Sequence, residues 1–385
     1  MDLRLETYKI HHADLILTPA LVIYPALVDA NIRATLHMLG GDPNRWRPHI
    51  KTTKLGAILR QLIEHSVVNF KCSTTLELLA ACEAGATDVL LAYAVMGANA
   101  RRTRDIAADF PETRVSVLVE AAEQAETWLD ANVGVFVDIN SGMNRTGIDQ
   151  ERIDHILELA RALGRQFRGL HYYDGHVAAF PPEERERHVH EGYDRLLDIT
   201  NALAACGIQA GEIITSGTPA TPFAVTYPCF RDGSVLHRVS PGTVVFNDIT
   251  SVEQLPAGLG YAPAVIVLST VVSHPTPQSI TCDAGHKSVS ADAGVPTCAV
   301  IGRPDLNPMK PSEEHLSIEG LSSGGIPRIG DKLYLVPRHV CPTVNNFDEA
   351  LCVVDGHIRA IETVTARGHE SPLALTERTA VISKM

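Results

Sequence analysis

Between Trp46 and about Asn247, short apolar runs alternate with longer amphipathic stretches, the pattern that successive parallel βα units leave in a chain. Eight runs read as strands: 46–51, 67–72, 88–93, 114–119, 133–139, 168–172, 212–215 and 243–246. Between them, segment 151–163 sets Ile153, Ile156, Leu157, Ala160 and Leu163 at helical spacing, and segment 75–84 stops at Gly85, a natural residue after a helix end. The pattern predicts an α/β fold, a closed (β/α)8 TIM barrel. An open doubly wound sheet gives similar local signals, but no GxGxxG follows the first strand. Leu21 to Tyr24, after Thr18-Pro19, is a ninth strand that we place outside the barrel proper.

After Asn247 the pattern changes. Runs 264–272, 331–336 and 350–364 are rich in β-branched residues, separated by Gly/Pro-rich loops and free of long helical periodicity, so a mainly-β domain is expected. Asp355-Gly356 between two apolar runs is a two-residue hairpin signal. The expected division is 18–250 for the barrel and 251–385, joined by 1–17, for the β domain.

Length and charge narrow the partners. The 385 residues, 45% of them hydrophobic, can bury a large core and exceed the ~250 residues of a single barrel. A formal charge of -12 (33 basic against 45 acidic residues) argues against nucleic acid or an anionic membrane, both of which need a basic face, and favours a small-molecule ligand. Residues 1–17 lack the pattern of a signal peptide, and no stretch approaches the ~20 apolar residues of a membrane span. Eight scattered cysteines without framework spacing fit reduced thiols in the cytoplasm.

Four separated features would converge at the C-terminal mouth of such a barrel, where active sites of this fold sit. Lys51, within Arg47-Pro48-His49-Ile50-Lys51-Thr52-Thr53-Lys54, ends the first barrel strand, and partial burial beside another cation, Arg47 or Lys54, would free its amine to attack an aldehyde. Small residues Ser216, Gly217 and Thr218 after the seventh strand, with Gly242 and Thr243 at the eighth, suit an anion cradle. A plain helix cap explains the first of these loops equally well. Loops 140–147 and 172–176 carry Arg145, Tyr173 and His176 onto the same rim, where such groups can set the electronics of a bound ring. Finally, His339 and Cys341, two apart on an extended backbone after strand 333–336, can offer a nitrogen and a thiolate to one ion, with zinc the best match.

Together these residues resemble the D-threonine aldolase and D-serine dehydratase family, fold-type III pyridoxal phosphate enzymes related to alanine racemase. The resemblance runs from Thr18-Pro19-Ala20 through Arg-Pro-His-x-Lys-Thr-x-Lys at 47–54, Gly-Met-x-Arg-x-Gly at 142–147, the loop at 215–219, Asp283-Ala284-Gly285-x-Lys287 and His339-x-Cys341-Pro342-Thr343 to Ala366-Arg367-Gly368. It implies that Lys51 carries pyridoxal 5'-phosphate as a Schiff base, that loops 216–218 and 242–243 hold the phosphate, and that Arg145 and Tyr173 contact the ring. It also implies a divalent metal (Zn, Mn or Mg) on His339 and Cys341 beside the substrate's β-hydroxyl, and a homodimer with composite sites.

The expected activity is a lyase on D-β-hydroxy-α-amino acids, retro-aldol cleavage to glycine and an aldehyde, with Lys51, Tyr173 and His176 as catalytic groups. Cys341 leans toward the dehydratase branch, which gives a 2-oxo acid and ammonia. The segment from Val340 to Asp348 and the C-terminal Thr-Ala-Arg-Gly-His read more like the aldolase branch. Ala179 stands where the resemblance leads one to expect an aldolase base, and His176 is the nearby substitute. A non-catalytic carrier of the cofactor and an amino-acid racemase are the remaining alternatives.

Overall fold

A computed structural model describes residues 3–231, 235–256, 258–320 and 325–373. Strand β1 (Ala20–Ile23) comes first, followed by β2 (Asn69–Cys72), β3 (Asp88–Leu91), β4 (Arg114–Val119), β5 (Gly134–Asn140), the two-residue β6 (Ile148–Asp149), β7 (Phe167–Tyr172), β8 (Glu212–Thr215) and β9 (Leu236–Val239). Strands β2, β3, β4, β5, β7, β8 and β9 pair in that order, all parallel, and helices such as Thr75–Glu83 and Ile153–Leu163 connect them. Every residue of β2, β3 and β8 is buried, as strands covered by helices outside and by a filled lumen inside must be.

Residues 46–50 close the ring without forming a regular strand. Arg47 N–H donates to Val239 O (2.9 Å) on one side; on the other, Ile50 N–H donates to Lys71 O (2.8 Å) and Lys71 N–H to Pro48 O (2.9 Å). The expected first strand is thus reduced to two isolated bridges, Trp46 with Val239 and His49 with Lys71. Pro48, which has no N–H to donate, sits between them. The expected eighth strand is also corrected: 243–245 form a 3-10 turn, and the eighth stave is β9. Its sequence hides it, because His237 and Arg238 are interior side chains, bonded to Thr215 Oγ1 (2.8 Å) and Glu212 Oε2 (2.5 Å).

The second sheet is mainly antiparallel. It comprises β1, β10 (Val265–Thr276), β11 (Ser279–Cys282), β12 (Cys298–Val300), β13 (Asn307–Pro308), β14 (Leu316–Glu319), β15 (Lys332–Pro337), β16 (Glu349–Val354) and β17 (His357–Thr363). Strand β1 runs antiparallel to β10 and parallel to β16, which ties the start of the chain to the second unit. Strands β16 and β17 meet at Asp355 (φ 50°) and Gly356 (φ 75°), the double positive φ of a tight hairpin. Strands β11 to β14 carry too few apolar residues in a row to have stood out in the sequence. No helix among the described residues is long and apolar enough to cross a membrane.

Below the barrel mouth the lumen is tied by ions. Arg47, fully buried, bridges Asp88 (2.9 Å) and Glu212 (2.9 Å), while Arg168 and Arg238 reach the same carboxylates. A cavity of about 1010 Å³ opens beside this cluster at the N-terminal ends of the strands. Conserving the frame, not chemistry, is the usual task of that barrel face.

Candidate functional site

At the opposite end, a cavity of about 350 Å³ is lined by His49, Lys51, Thr52, Tyr173, Gly217, Thr218, Ser240, Gly242, Thr243, Asp248, His339 and Cys341, among others. Each barrel contributor follows a stave end, so the eight-fold frame alone brings residues 51, 173, 217 and 242 together. Lys51 leaves the closing stretch as a half-buried side chain. The loop beyond it is fastened by Lys54, whose ammonium pairs with Glu77 (2.8 Å) and donates to Ala366 O (3.1 Å). That contact accounts for the Ala366-Arg367-Gly368 motif as an anchor. Asp283 is likewise an anchor, accepting from Thr18 Oγ1 (2.6 Å), Ser269 Oγ (2.7 Å) and Thr270 N–H (2.8 Å).

The cations expected to crowd Lys51 are spoken for: Arg47 by Asp88 and Glu212, Lys54 by Glu77. The nearby cation is Lys71 of β2, which the sequence did not single out; burial and then Lys51 lower its pKa. His49 is pushed far down by burial and then by Lys51 and Lys71, so it stays neutral.

Two tight backbone approaches shape the anion side. A Cβ on Gly242 would lie 2.1 Å from His49 O, and one on Gly217 would lie 3.1 Å from the Tyr173 ring. Ser216 takes φ 57°, a conformation rare for an L residue, at the turn that leads into Gly217. Its side chain does not line the cavity; its Oγ accepts from Thr221 (3.4 Å). Ser240 Oγ is buried beside Gly242 without a hydrogen-bond partner among the described residues. Behind the loop, Asp174 accepts from Tyr193 OH (2.7 Å) and Gly217 N–H (3.3 Å), and burial raises its carboxyl to about 6.

Tyr173 has the Arg145 guanidinium carbon 4.9 Å from its ring centroid and Lys71 Nζ 5.4 Å from it. Arg145 is exposed and outside the cavity lining. His176, in the 3-10 turn Gly175–Ala179, is also outside it; its Nε2 lies 3.6 Å from where a Cβ of Gly142 would be. Burial lowers the pKa of His176, and its Nδ1 has no partner among the described residues.

His339 and Cys341 come from the second unit. They do not sit on extended backbone as expected: His339 is the extended residue preceding the short helix Val340–Val344, and Cys341 lies in that helix. They still face one another. Asp248 accepts from Val340 N–H (3.0 Å) and fixes the turn against the barrel. Asp292 Oδ2 holds His339 Nδ1 at 2.7 Å, which frees Nε2, while Thr52 Oγ1 lies 3.0 Å from Cys341 Sγ. Burial opposes a charged imidazole, but Cys341 and Asp292 overcome it and push His339 up to about 9. The reciprocal interaction lowers the Cys341 thiol against its own burial. Among the described residues no cluster of three or more His, Cys, Asp or Glu side chains is placed to hold a metal.

The sequence compares with known proteins along nearly its whole length. The profile of the alanine racemase N-terminal domain matches residues 23–248, and that of a serine dehydratase domain matches residues 264–353. A D-threonine aldolase of Arthrobacter sp is 28% identical over 362 residues, covering 91% of this chain and 93% of that protein. A 3-hydroxy-D-aspartate aldolase of Paracoccus denitrificans is 27% identical over 376 residues, covering 91% and 92%. The crystal structure of D-threonine aldolase from Filomicrobium marinum superposes with a TM-score of 0.84 at 27% identity, over 92% of this chain and 97% of that one.

Proposed function

The chain belongs to the alanine racemase N-terminal domain family, and from that membership we propose that it is a pyridoxal phosphate- and divalent-metal-dependent lyase of D-β-hydroxy-α-amino acids, cleaving them to glycine and an aldehyde. The observation that carries the reading is the meeting of Lys51 with His339 and Cys341 in one 350 Å³ cavity, a volume near the lower end for small-ligand sites. Names of relatives alone supply the substrate class; the cavity supplies a place where an amine and a metal-binding pair could act on one small molecule.

The residues present fit both groups. An unpartnered Ser240 Oγ beside a Gly242 with no room for a Cβ suits a phosphate held by Gly217, Thr218, Gly242 and Thr243, with the turn at Ser216 shaping the loop. Lys51 would hold the aldehyde end, with Tyr173 and Arg145 at the ring. His339 and Cys341 would hold the ion, and Asp292 would orient the imidazole as carboxylates do for metal-bound histidines. When bound, the cofactor supplies an electron sink and the ion polarises the substrate's β-oxygen.

The chain's own part is positioning and proton handling. His176, whose pKa burial lowers, would accept the β-hydroxyl proton. Thr52 and Thr243 flank the Cys341 sulfur at 3.0 and 3.7 Å and restrict its direction. Eight unpaired cysteines suit a reducing cytoplasm, and a homodimer belongs to the same reading.

Borohydride reduction of the cofactor-loaded protein tests the anchor: the label is expected on the peptide containing Lys51, and a label on Lys54 or Lys287 would refute it. A second reading, dehydration to a 2-oxo acid and ammonia, is favoured by the thiolate ligand Cys341 and is separated from the first by its products.

A further inference from the structure

Among the described residues, buried cations in the barrel meet carboxylates, with one exception. Arg47 has Asp88 and Glu212, Arg238 has Glu212, and Lys54 has Glu77. Lys71, on β2 and 2% exposed, makes no ion pair within 4.0 Å among the described residues. Its Nζ lies 3.4 Å from His171 Nε2. His171 Nδ1 lies 2.7 Å from Asp138 Oδ1, so the ring donates to the carboxylate there and presents the Nε2 lone pair to Lys71. An ammonium has three donors, and this long contact occupies one.

A buried ammonium in that condition is costly unless it loses its proton or an anion arrives. Burial, then Lys51, lower Lys71 to about 7 against the pull of Asp174 and Asp138. The groups that face it are His49 and Lys51 from the closing stretch, Arg47 below, Asp138 from β5, His171 and Tyr173 from β7 and the loop after it, Asp174 beyond, and Arg145 from the loop after β5. Neutral amine and ammonium are therefore close in free energy, and a nearby anion decides between them.

The backbone says where that anion would be. Lys71 bridges His49 in the parallel pairing, and Lys51 follows two residues on, so the two amines belong to neighbouring staves, Lys51 on the cavity wall and Lys71 one step below it. In pyridoxal phosphate the aldehyde and the phenolic oxygen occupy adjacent ring carbons. A group beside the amine that takes the aldehyde is thus beside the phenolic oxygen, whereas the phosphate loops lie at the ends of β8 and β9. We propose that Lys71 is a positioning residue for the cofactor, an ammonium braced by His171 and Asp138 that donates to the cofactor's phenolate oxygen. The proposal rests on the function proposed above.

The test compares wild-type, Lys71→Met and Lys71→Arg proteins loaded with pyridoxal phosphate, without substrate. The visible band is titrated with pH and the cofactor dissociation constant is measured. Lys71→Met is expected to move the band's titration midpoint by about one pH unit or more and to weaken cofactor binding roughly tenfold, with Lys71→Arg restoring most of both. Should the methionine variant fail to fold, Lys71→Gln gives the same comparison. A wild-type band and cofactor affinity in the methionine variant would overturn the proposal, whatever happens to its melting temperature. So would an unchanged band coupled to a weaker spectral response to D-amino acids, which would assign Lys71 to the substrate carboxylate. A wild-type protein that forms no visible band would instead overturn the cofactor reading, and this proposal with it.

Discussion

Replacing Gly242 with alanine isolates one contact at the site. The residue has φ -111° and ψ -37°, which alanine adopts freely, so no backbone strain enters. The new Cβ would stand 2.1 Å from His49 O, 2.9 Å from His49 C and 3.1 Å from His49 N, all backbone atoms that cannot rotate away. The closing stretch would have to retreat by about 1 Å, although Arg47 N–H and Ile50 N–H pin it to Val239 and Lys71 on either side. Overpacking of this kind costs about 1–3 kcal/mol. At roughly 2–4 °C per kcal/mol for a large domain, the apo melting temperature should fall by several degrees. Lys51 is two residues from the displaced carbonyl, and a misplacement of about 1 Å can lower turnover roughly 100-fold. Gly217→Ala is the control: its Cβ would meet the Tyr173 ring at 3.1 Å, a side chain that can swing, so its stability loss should stay under about 1 kcal/mol while cofactor binding weakens. Circular dichroism melts and cofactor titrations read both. Wild-type stability and cofactor affinity in Gly242→Ala would refute the close approach of the two loops.

Other perturbations reach separate parts of the structure. Arg47→Met should cost about 3 kcal/mol in urea unfolding, the low end for breaking a buried pair, because Arg168 and Arg238 still contact Asp88 and Glu212. Asp174, raised to about 6 from 3.8, keeps its proton longer in the folded state than in the unfolded one, so stability should fall as the pH rises from about 4 to 6, by on the order of 3 kcal/mol. Asp174→Asn should flatten the melting temperature over that window, and an unchanged slope would show that another group sets it. A chelator, or His339→Ala, should abolish turnover and leave the visible band intact, while Cys341→Asp should shift metal preference from zinc toward manganese or magnesium. Full activity in metal-free protein would remove the role given to this pair.

Periodicity made the barrel legible because most staves are apolar on both faces. It failed where polar side chains are buried: Arg238 of β9 points into the lumen and His237 to the other face, against Phe230, so the apolar 243–246 next to it looked more like a strand. Pro48 interrupts the closing ladder, yet the Arg-Pro-His-x-Lys stretch still announced Lys51. Arg47 and Lys54 were readable as cations but not as paired cations, since Glu77, Asp88 and Glu212 are distant in sequence. Lys71 escaped notice because a lysine in a short strand reads as an edge or surface residue, and only the fold brings it opposite His171. Asp292 was equally hidden, 47 positions from the histidine it holds.

Incubating the purified protein, supplied with pyridoxal phosphate and a divalent metal, with D- and L-β-hydroxy-α-amino acids and identifying the products by mass spectrometry decides which reaction the cavity supports. Glycine and an aldehyde, formed from D-substrates alone and lost on chelation, are the predicted result. Formation of a 2-oxo acid with ammonia would replace the cleavage by dehydration, and racemisation or no turnover of any D-substrate would rule out a lyase of D-β-hydroxy-α-amino acids.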